Sequence, residues 1–377
     1  MTEIKNTLKV LEKVCLNPEE YLENIREEKK IIGCFLPYTP VELIYSMGFH
    51  PQILWWYGIE TGSSSKYLPP FYCYPLKSLL EAGMEGKLDY LSAVLIASFC
   101  DSLKAIGQNW KVAVENIEFI PLVYPQNRDL DCSMDFLKSE FLNVIEILER
   151  KFDCKYDEDK LKEAIKLYNE RNQKLNKLMD LSNKHLDIIT PKYRNYINKA
   201  GSILDVKDHI KYIGELIAGL EAREEFKSEN KKVLLTGIMA DSKTLLNAIE
   251  DCDLSVVSDD LAQESRQYRT VIKEYTSDPL FNLCKKWSDF EGCSMAHSKE
   301  NERVKIILEK IKENDVDGVI FVNTSFCDPE EYDYPIVKKA LEEKNISQIL
   351  IESNKENTSN GQIKTRIEAF QELLNSL

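Results

Sequence analysis

Four short apolar runs in the first third of the chain alternate with amphipathic stretches: Lys30–Leu36, Gln52–Tyr57, Leu91–Ala97 and Ile117–Val123. Runs of this length, bounded by turn signals, predict fully buried parallel strands. Helix signals lie between them. Thr39-Pro40 offers a cap followed by proline at the first helical position. Tyr74–Glu85 reads as a second helix, and a third follows the third strand through Trp110. The same pattern resumes near Lys231, with strands expected at Val233–Thr236, Leu254–Ser258, Gly318–Val322 and Gln348–Glu352 and a final helix beyond the last. Such alternation predicts a parallel sheet covered on both faces.

Between the two alternating regions the period changes. From Met134 to about Lys227 apolar residues recur at helical spacing among Lys, Glu and Asn, which predicts three or four helices and no strand. The opening stretch to about Lys30 reads as one or two amphipathic helices, broken near Asn17-Pro18. The expected fold class is therefore α/β, with two doubly wound, Rossmann-like parallel-sheet domains. Residues 1–133 form the first, leading helices included; 134–229 form a helical connector and 230–377 the second.

Composition narrows the function classes. The 377 residues, 43% hydrophobic and 30% charged, are those of a globular protein with real cores. A net charge of −14 argues against a nucleic-acid partner, which needs a basic footprint. The N-terminus is charged throughout without an apolar signal core, and no apolar run reaches membrane-spanning length. A cytoplasmic protein is expected, and a reducing cytosol disfavours disulfides among its ten cysteines. No Cys-x-x-Cys pair and only four histidines argue against a local zinc finger or ribbon. Any metal site must draw on distant segments.

The tetrapeptide Ser-Phe-Cys-Asp occurs at Ser98–Asp101 and again at Ser325–Asp328, each time following the third strand of its domain. Ligands of open α/β sheets bind beyond the carboxyl ends of the strands. Cys100 and Cys327 are thus candidates to face each other across a crevice. Asp101 reads as a helix cap, and Asp328-Pro329-Glu330-Glu331 as a stronger helix start with Asp as cap. A cysteine beside a helix N-terminus is favoured as thiolate, the metal-binding form. Cys73, between Pro70-Phe71-Tyr72 and a predicted helix, shares that setting. Three thiolates from separate segments suit an iron–sulfur cluster with one iron left open. The plainer alternative is that each cysteine is a small buried hydrophobe. Cys34, near the end of the first strand, is a fourth candidate to line the site. Cys15, Cys132, Cys154, Cys252 and Cys284 read as structural, and Cys293 stays open.

Other signals are weaker. Asp259–Arg269 is dense in acids and arginines, and suits an anion or partner site or a structural ion network equally well. Gly237 ends a strand, yet no Gly-x-Gly-x-x-Gly or Walker motif follows it. His50, His185, His209 and His297 stand apart, so no nucleophile–base pair can be read. Leu54-Trp55-Trp56-Tyr57-Gly58 reads as core or subunit interface.

The chain resembles the 2-hydroxyacyl-CoA dehydratase family, related to the benzoyl-CoA reductase subunits. The resemblance spans essentially the whole length. It is carried by Gly33-Cys34-Phe35, Thr39-Pro40-Val41-Glu42-Leu43-Ile44-Tyr45 with Gly48, Tyr67-Leu68-Pro69 with Cys73, Cys100-Asp101 and Phe326-Cys327-Asp328-Pro329-Glu330. Size and the segment from Leu234 to Arg269 are most similar to the smaller, β-type subunit of the (R)-2-hydroxyisocaproyl-CoA type.

The resemblance implies a heterodimer with an α-type dehydratase subunit, each subunit holding a 4Fe-4S cluster through three cysteines, here Cys73, Cys100 and Cys327. It implies elimination of water from a 2-hydroxyacyl-CoA to the 2-enoyl-CoA through a ketyl radical, in the amino-acid fermentation of anaerobes. An ATP-dependent iron–sulfur activator protein supplies the electron in the family. A Pro-Glu-Glu pattern common in the family reads Pro40-Val41-Glu42 here, and the basic residues common after the second cysteine are reduced to Lys104, beside Ala105. These departures place the acyl-CoA substrate site mainly on the partner, leave this subunit an electron-holding role, and name no catalytic residue. Isocaproyl-, phenyllactoyl- and glutaryl-type substrates stay open, as do the fourth cluster ligand and flavin content. Two other functions compete: a subunit of an aryl-CoA reductase, and a non-catalytic two-lobed ligand-binding protein.

Overall fold

The computed structural model describes residues 2–35, 38–55, 61–130, 132–353 and 360–376. Strands β1 (Ile31–Phe35), β2 (His50–Leu54), β3 (Ala93–Ala97) and β4 (Glu118–Leu122) make one parallel sheet in the order β2-β1-β3-β4. Strands β5 (Lys231–Gly237), β6 (Leu254–Leu261), β7 (Gly318–Thr324) and β8 (Ser347–Ser353) make a second in the equivalent order β6-β5-β7-β8. In both, the strand order reverses direction between the first and third strands. That switch point opens a crevice at the carboxyl edge. The α/β, two-sheet class read from the apolar pattern is what the chain adopts.

The strand limits differ from the sequence reading where charge interrupts the apolar run. β6 does not stop at Ser258; it continues through Asp259 and Asp260, which pair with Leu235 and Thr236 of β5. Both aspartates are buried, and arginines supply the compensation that makes this tolerable. β2 begins at His50 rather than Gln52, and its Pro51 is accommodated because β2 is an edge strand. Leu36 and the Trp56-Tyr57-Gly58 part of the aromatic run lie outside the described residues.

Four helices form the connector: Ser133–Lys151, Glu158–Ser182, Pro191–Ala200 and Val206–Glu221. The leading helices Thr2–Leu16 and Pro18–Glu28 pack on its last two. Thr7 donates to Glu215 at 2.8 Å, Tyr21 donates to Asp208 at 2.7 Å and Lys29 pairs with Asp205 at 3.0 Å. The sequence reading names no element between β6 and β7, yet Pro279–Asp289 and Glu302–Glu313 are helices there. The former is covered by aromatic neighbours from the first domain. Tyr38 lies 4.4 Å from Phe290 and Phe99 lies 5.2 Å from Trp287, ring centre to ring centre. Arg128, in the loop after β4, adds polar stitches to the carbonyl oxygens of Trp287 and His297, both at 2.8 Å, and to that of Phe290. One apolar core thus runs from the first sheet through the connector to Met239 and Trp287, while the second sheet keeps a separate core on each face.

Candidate functional site

Residues just past the carboxyl ends of four strands converge on one cavity of about 510 Å³. Trp55 follows β2, Phe99 and Cys100 follow β3, Met239 follows β5, and Phe326 and Cys327 follow β7. Cys73 enters from the turn before the helix Tyr74–Met84. All three cysteines singled out from the sequence therefore line the same space between the two sheets.

Each of these cysteines is itself the N-cap of a helix: Tyr74–Met84, Asp101–Ala113 and Asp328–Glu343. The sequence reading put the caps one residue later, at Asp101 and Asp328; both are first helical residues instead. An acid stabilises either position through the helix dipole, so the sequence signal does not separate them. A one-residue shift in the opposite sense makes Pro40, not Thr39, the cap of Val41–Ser46. For the cysteines the shift matters, because the N-cap side chain is the one nearest the free amides of the first turn. None of the three thiols makes a capping hydrogen bond. Still, the amides of Leu76, of Leu103 and Ser102, and of Glu330 favour the thiolate at Cys73, Cys100 and Cys327 respectively.

Burial opposes them. It pushes the Cys73 thiol up to about 12, with the neighbouring Cys100 adding to the rise. Cys100 is raised by burial too, and Cys327 rises well above the ordinary thiol range through burial, then Glu330, Cys73 and Cys100. The three sulfurs thus feel one another's charge. Among the described residues no group of three or more His, Cys, Asp or Glu side chains is gathered as a metal-ion site. The backbone before Cys327 is unusual. Phe326 has φ of 65°, a left-handed conformation rare for a bulky residue, and its amide donates to Glu331 at 2.9 Å.

Beneath Cys327 lies a closed ion network. Arg266 donates to both oxygens of Asp260, at 3.1 and 2.8 Å, and to Glu330 at 3.1 Å. Arg303 bridges the same two carboxylates, at 3.0 Å to Asp260 and 2.8 Å to Glu330, and pairs with Asp333 at 3.1 Å. Arg269 closes on Asp260 at 2.7 Å, and Ser294, on the cavity wall, donates to Glu330 at 2.7 Å. Burial alone would raise both carboxyls. Arg266, Arg303 and Arg269 instead hold Asp260 far below the usual range, and Arg303 and Arg266 hold Glu330 low.

Residues 37–374 match the family described as 2-hydroxyglutaryl-CoA dehydratase, D-component. The chain belongs to this dehydratase family. It is 41% identical over 360 residues to the (R)-phenyllactyl-CoA dehydratase beta subunit of Clostridium sporogenes, covering 95% of this chain and 96% of the relative. It is 32% identical over 377 residues to the lactoyl-CoA dehydratase subunit beta of Anaerotignum propionicum, covering 99% and 100%. A benzoyl-CoA reductase subunit of Thauera aromatica is 25% identical over 328 residues, covering 85% and 84%.

Other residues of this dehydratase-family chain fall away from the cavity. Cys34 does not line it: it sits within β1, paired with Ile53 and Leu95 on either side and fully buried in the core. A strand position alone could not say which face its side chain takes. Cys293 is buried against Tyr38 at 3.1 Å and Arg266 at 3.5 Å. The aspartates of the Asp259–Arg269 segment are not open to an outside partner: Asp259 and Asp260 are buried and paired with arginines of this chain. His50 and His209 are held by the carbonyls of Ile203 and Ile197, and burial lowers them to about 4 and about 3. Gly237, with φ of 145°, lies so close to the Val322 carbonyl that a Cβ has no room, which explains this glycine without a nucleotide. The sequence reading missed Arg303 and Ser294. Asp260, Arg266 and Arg269 lay in the flagged Asp259–Arg269 segment, and Glu330 carried a signal as an acid three residues after Cys327 at a helix start.

Proposed function

We propose that this chain is the β-type subunit of a heterodimeric 2-hydroxyacyl-CoA dehydratase, a hydro-lyase, and that Cys73, Cys100 and Cys327 hold a 4Fe-4S cluster in it. The observation that carries the reading is the convergence of three helix-capping thiols from three segments on one cavity, in a chain so close to dehydratase beta subunits. The donor set fits: among the described residues three thiols and no histidine line the cavity. In a four-iron cluster three such ligands leave one iron open. Bound there, the cluster would supply one-electron storage and transfer.

The residues of this chain bind, orient and shield. Three helix N-termini favour the thiolates, and Trp55, Phe99, Met239 and Met295 wall the cavity with apolar surface. The lining suits an electron-holding role better than capture of a phosphate-bearing coenzyme. Lys104 is the basic residue among the described lining, it is engaged by Asp101 at 3.1 Å, and Asp328 and Asp333 add negative charge. The acyl-CoA substrate therefore meets mainly the α-type partner, and an ATP-dependent iron–sulfur activator supplies the electron. The ten cysteines are all free thiols, which fits a reducing cytoplasm, and no described helix is long and apolar enough to cross a membrane.

Anaerobic purification or reconstitution tests this reading. A brown chain with about four irons and matching sulfide is expected; a colourless, iron-free chain overturns the cluster. Cys327→Ala should lose that iron and its visible absorption while keeping the wild-type circular dichroism. The match to a benzoyl-CoA reductase subunit keeps one second reading alive. Offering the reconstituted complex 2-hydroxyacyl-CoA and aromatic acyl-CoA in parallel separates the two by which is consumed.

A further inference from the structure

The ion network beneath Cys327 is poorly explained as a fold stabiliser. Three arginines (Arg266, Arg269, Arg303) meet three carboxylates (Asp260, Glu330, Asp333). Arg266, Asp260 and Glu330 have no exposed side-chain surface at all. Apolar residues of equal volume commonly stabilise a fold as well as or better than buried ions. Fixed charges in such a medium act over longer distances than in water. Their location points the same way. Glu330 occupies the third position of the helix that Cys327 caps, its amide donating to the Cys327 carbonyl at 3.0 Å. Its carboxylate is clamped by Arg266, Arg303 and the cavity-lining Ser294. The charge that acts most strongly on Cys327 is therefore negative, immobile and backed by two arginines.

We infer that Glu330 and Arg266 are positioning residues whose opposed fixed charges set the reduction potential of the group bound at Cys327. This rests on the cluster reading above. Cluster potentials follow net charge, hydrogen bonds to sulfur and solvent exposure. Glu330 disfavours an added electron, and Arg266 offsets it. The two side chains therefore act with opposite sign.

The test is a reductive titration of the anaerobically reconstituted full chain, followed by visible absorption, with iron determined on every sample. E330Q removes the negative charge but keeps an acceptor for Ser294; it should titrate at higher potential than wild type at equal iron content. R266Q should titrate at lower potential, and R266K, which retains the charge, with wild type. R266Q leaves two buried carboxylates under-compensated; should it fail to fold, E330Q and R266K decide the matter. A wild-type or lowered potential in E330Q overturns the inference, and so does loss of its iron, which would make the network a scaffold. A shift in R266K as large as that in E330Q overturns it by assigning the effect to geometry. An iron-free wild-type chain is a different failure, that of the cluster reading itself.

Discussion

Cys73, Cys34 and Cys293 show how far position decides what one residue type can do. Cys34 is closed into a strand, Cys293 is held by a tyrosine and an arginine, and Cys73 caps a helix on the cavity wall. Their local sequences separate the first from the third only through flanking proline and aromatics. The repeated tetrapeptide made Cys100 and Cys327 legible; no such mark exists for Arg303 or Ser294. A second residue-scale case is Glu264. Burial and the neighbouring Asp259 push its carboxyl up to about 8, while Asn195 and Asn198 donate to its oxygens at 3.0 and 3.2 Å. The folded carboxyl keeps its proton to higher pH than the unfolded one. Its contribution is full below about 4.5 and lost as pH rises through about 8. Wild type should therefore lose thermal stability between about pH 4.5 and 8, and Glu264→Gln, which mimics the protonated form, should lose distinctly less over that range. Parallel melting curves across that range check it.

At the scale of elements, strands made of Val, Ile and Leu were readable because burial on both faces leaves an unbroken apolar run. The last residues of β6 were not, since Asp259 and Asp260 belong to the strand only through arginines recruited from elsewhere. Arg194 and Arg303, for example, lie 65 and 43 residues away. The helix Pro279–Asp289 went unseen although its start is well formed. Asp278 accepts from the amides of Leu280 and Phe281 at 2.9 and 3.2 Å, with Pro279 next. Its short apolar stripe is broken by Lys285 and Lys286, the latter reaching Glu42 at 2.7 Å. Asp278→Ala should reduce stability by about 1–2 kcal/mol in urea titrations. Iron content should not change, because neither the cap nor the helix it starts lines the cysteine cavity.

For the whole molecule, the two-sheet plan was legible because the strand pattern repeats. The way the halves join was not. The join depends on Arg128, which donates to backbone carbonyls in a segment that reads as featureless. Arg128→Ala should leave the carbonyls of Trp287, Phe290 and His297 without their buried donor. A loss of about 3 kcal/mol or more is expected on unfolding. Amide exchange should rise at residues 287–297 and stay unchanged in β1 and β3; uniform change across the chain would argue against a local stitch. The cavity walls come from both sides of this join, so its integrity and the site's are linked.

The order in which the chain is made adds a further consequence. Cys73 and Cys100 leave the ribosome long before Cys327, and β7, which delivers Cys327, lies between β5 and β8 in its sheet. The three thiols cannot meet until the chain has been synthesised past Cys327, just beyond the end of a strand that pairs with β5 on one side and β8 on the other. A group held by all three thiols can therefore be fully seated only after most of the described chain has been translated.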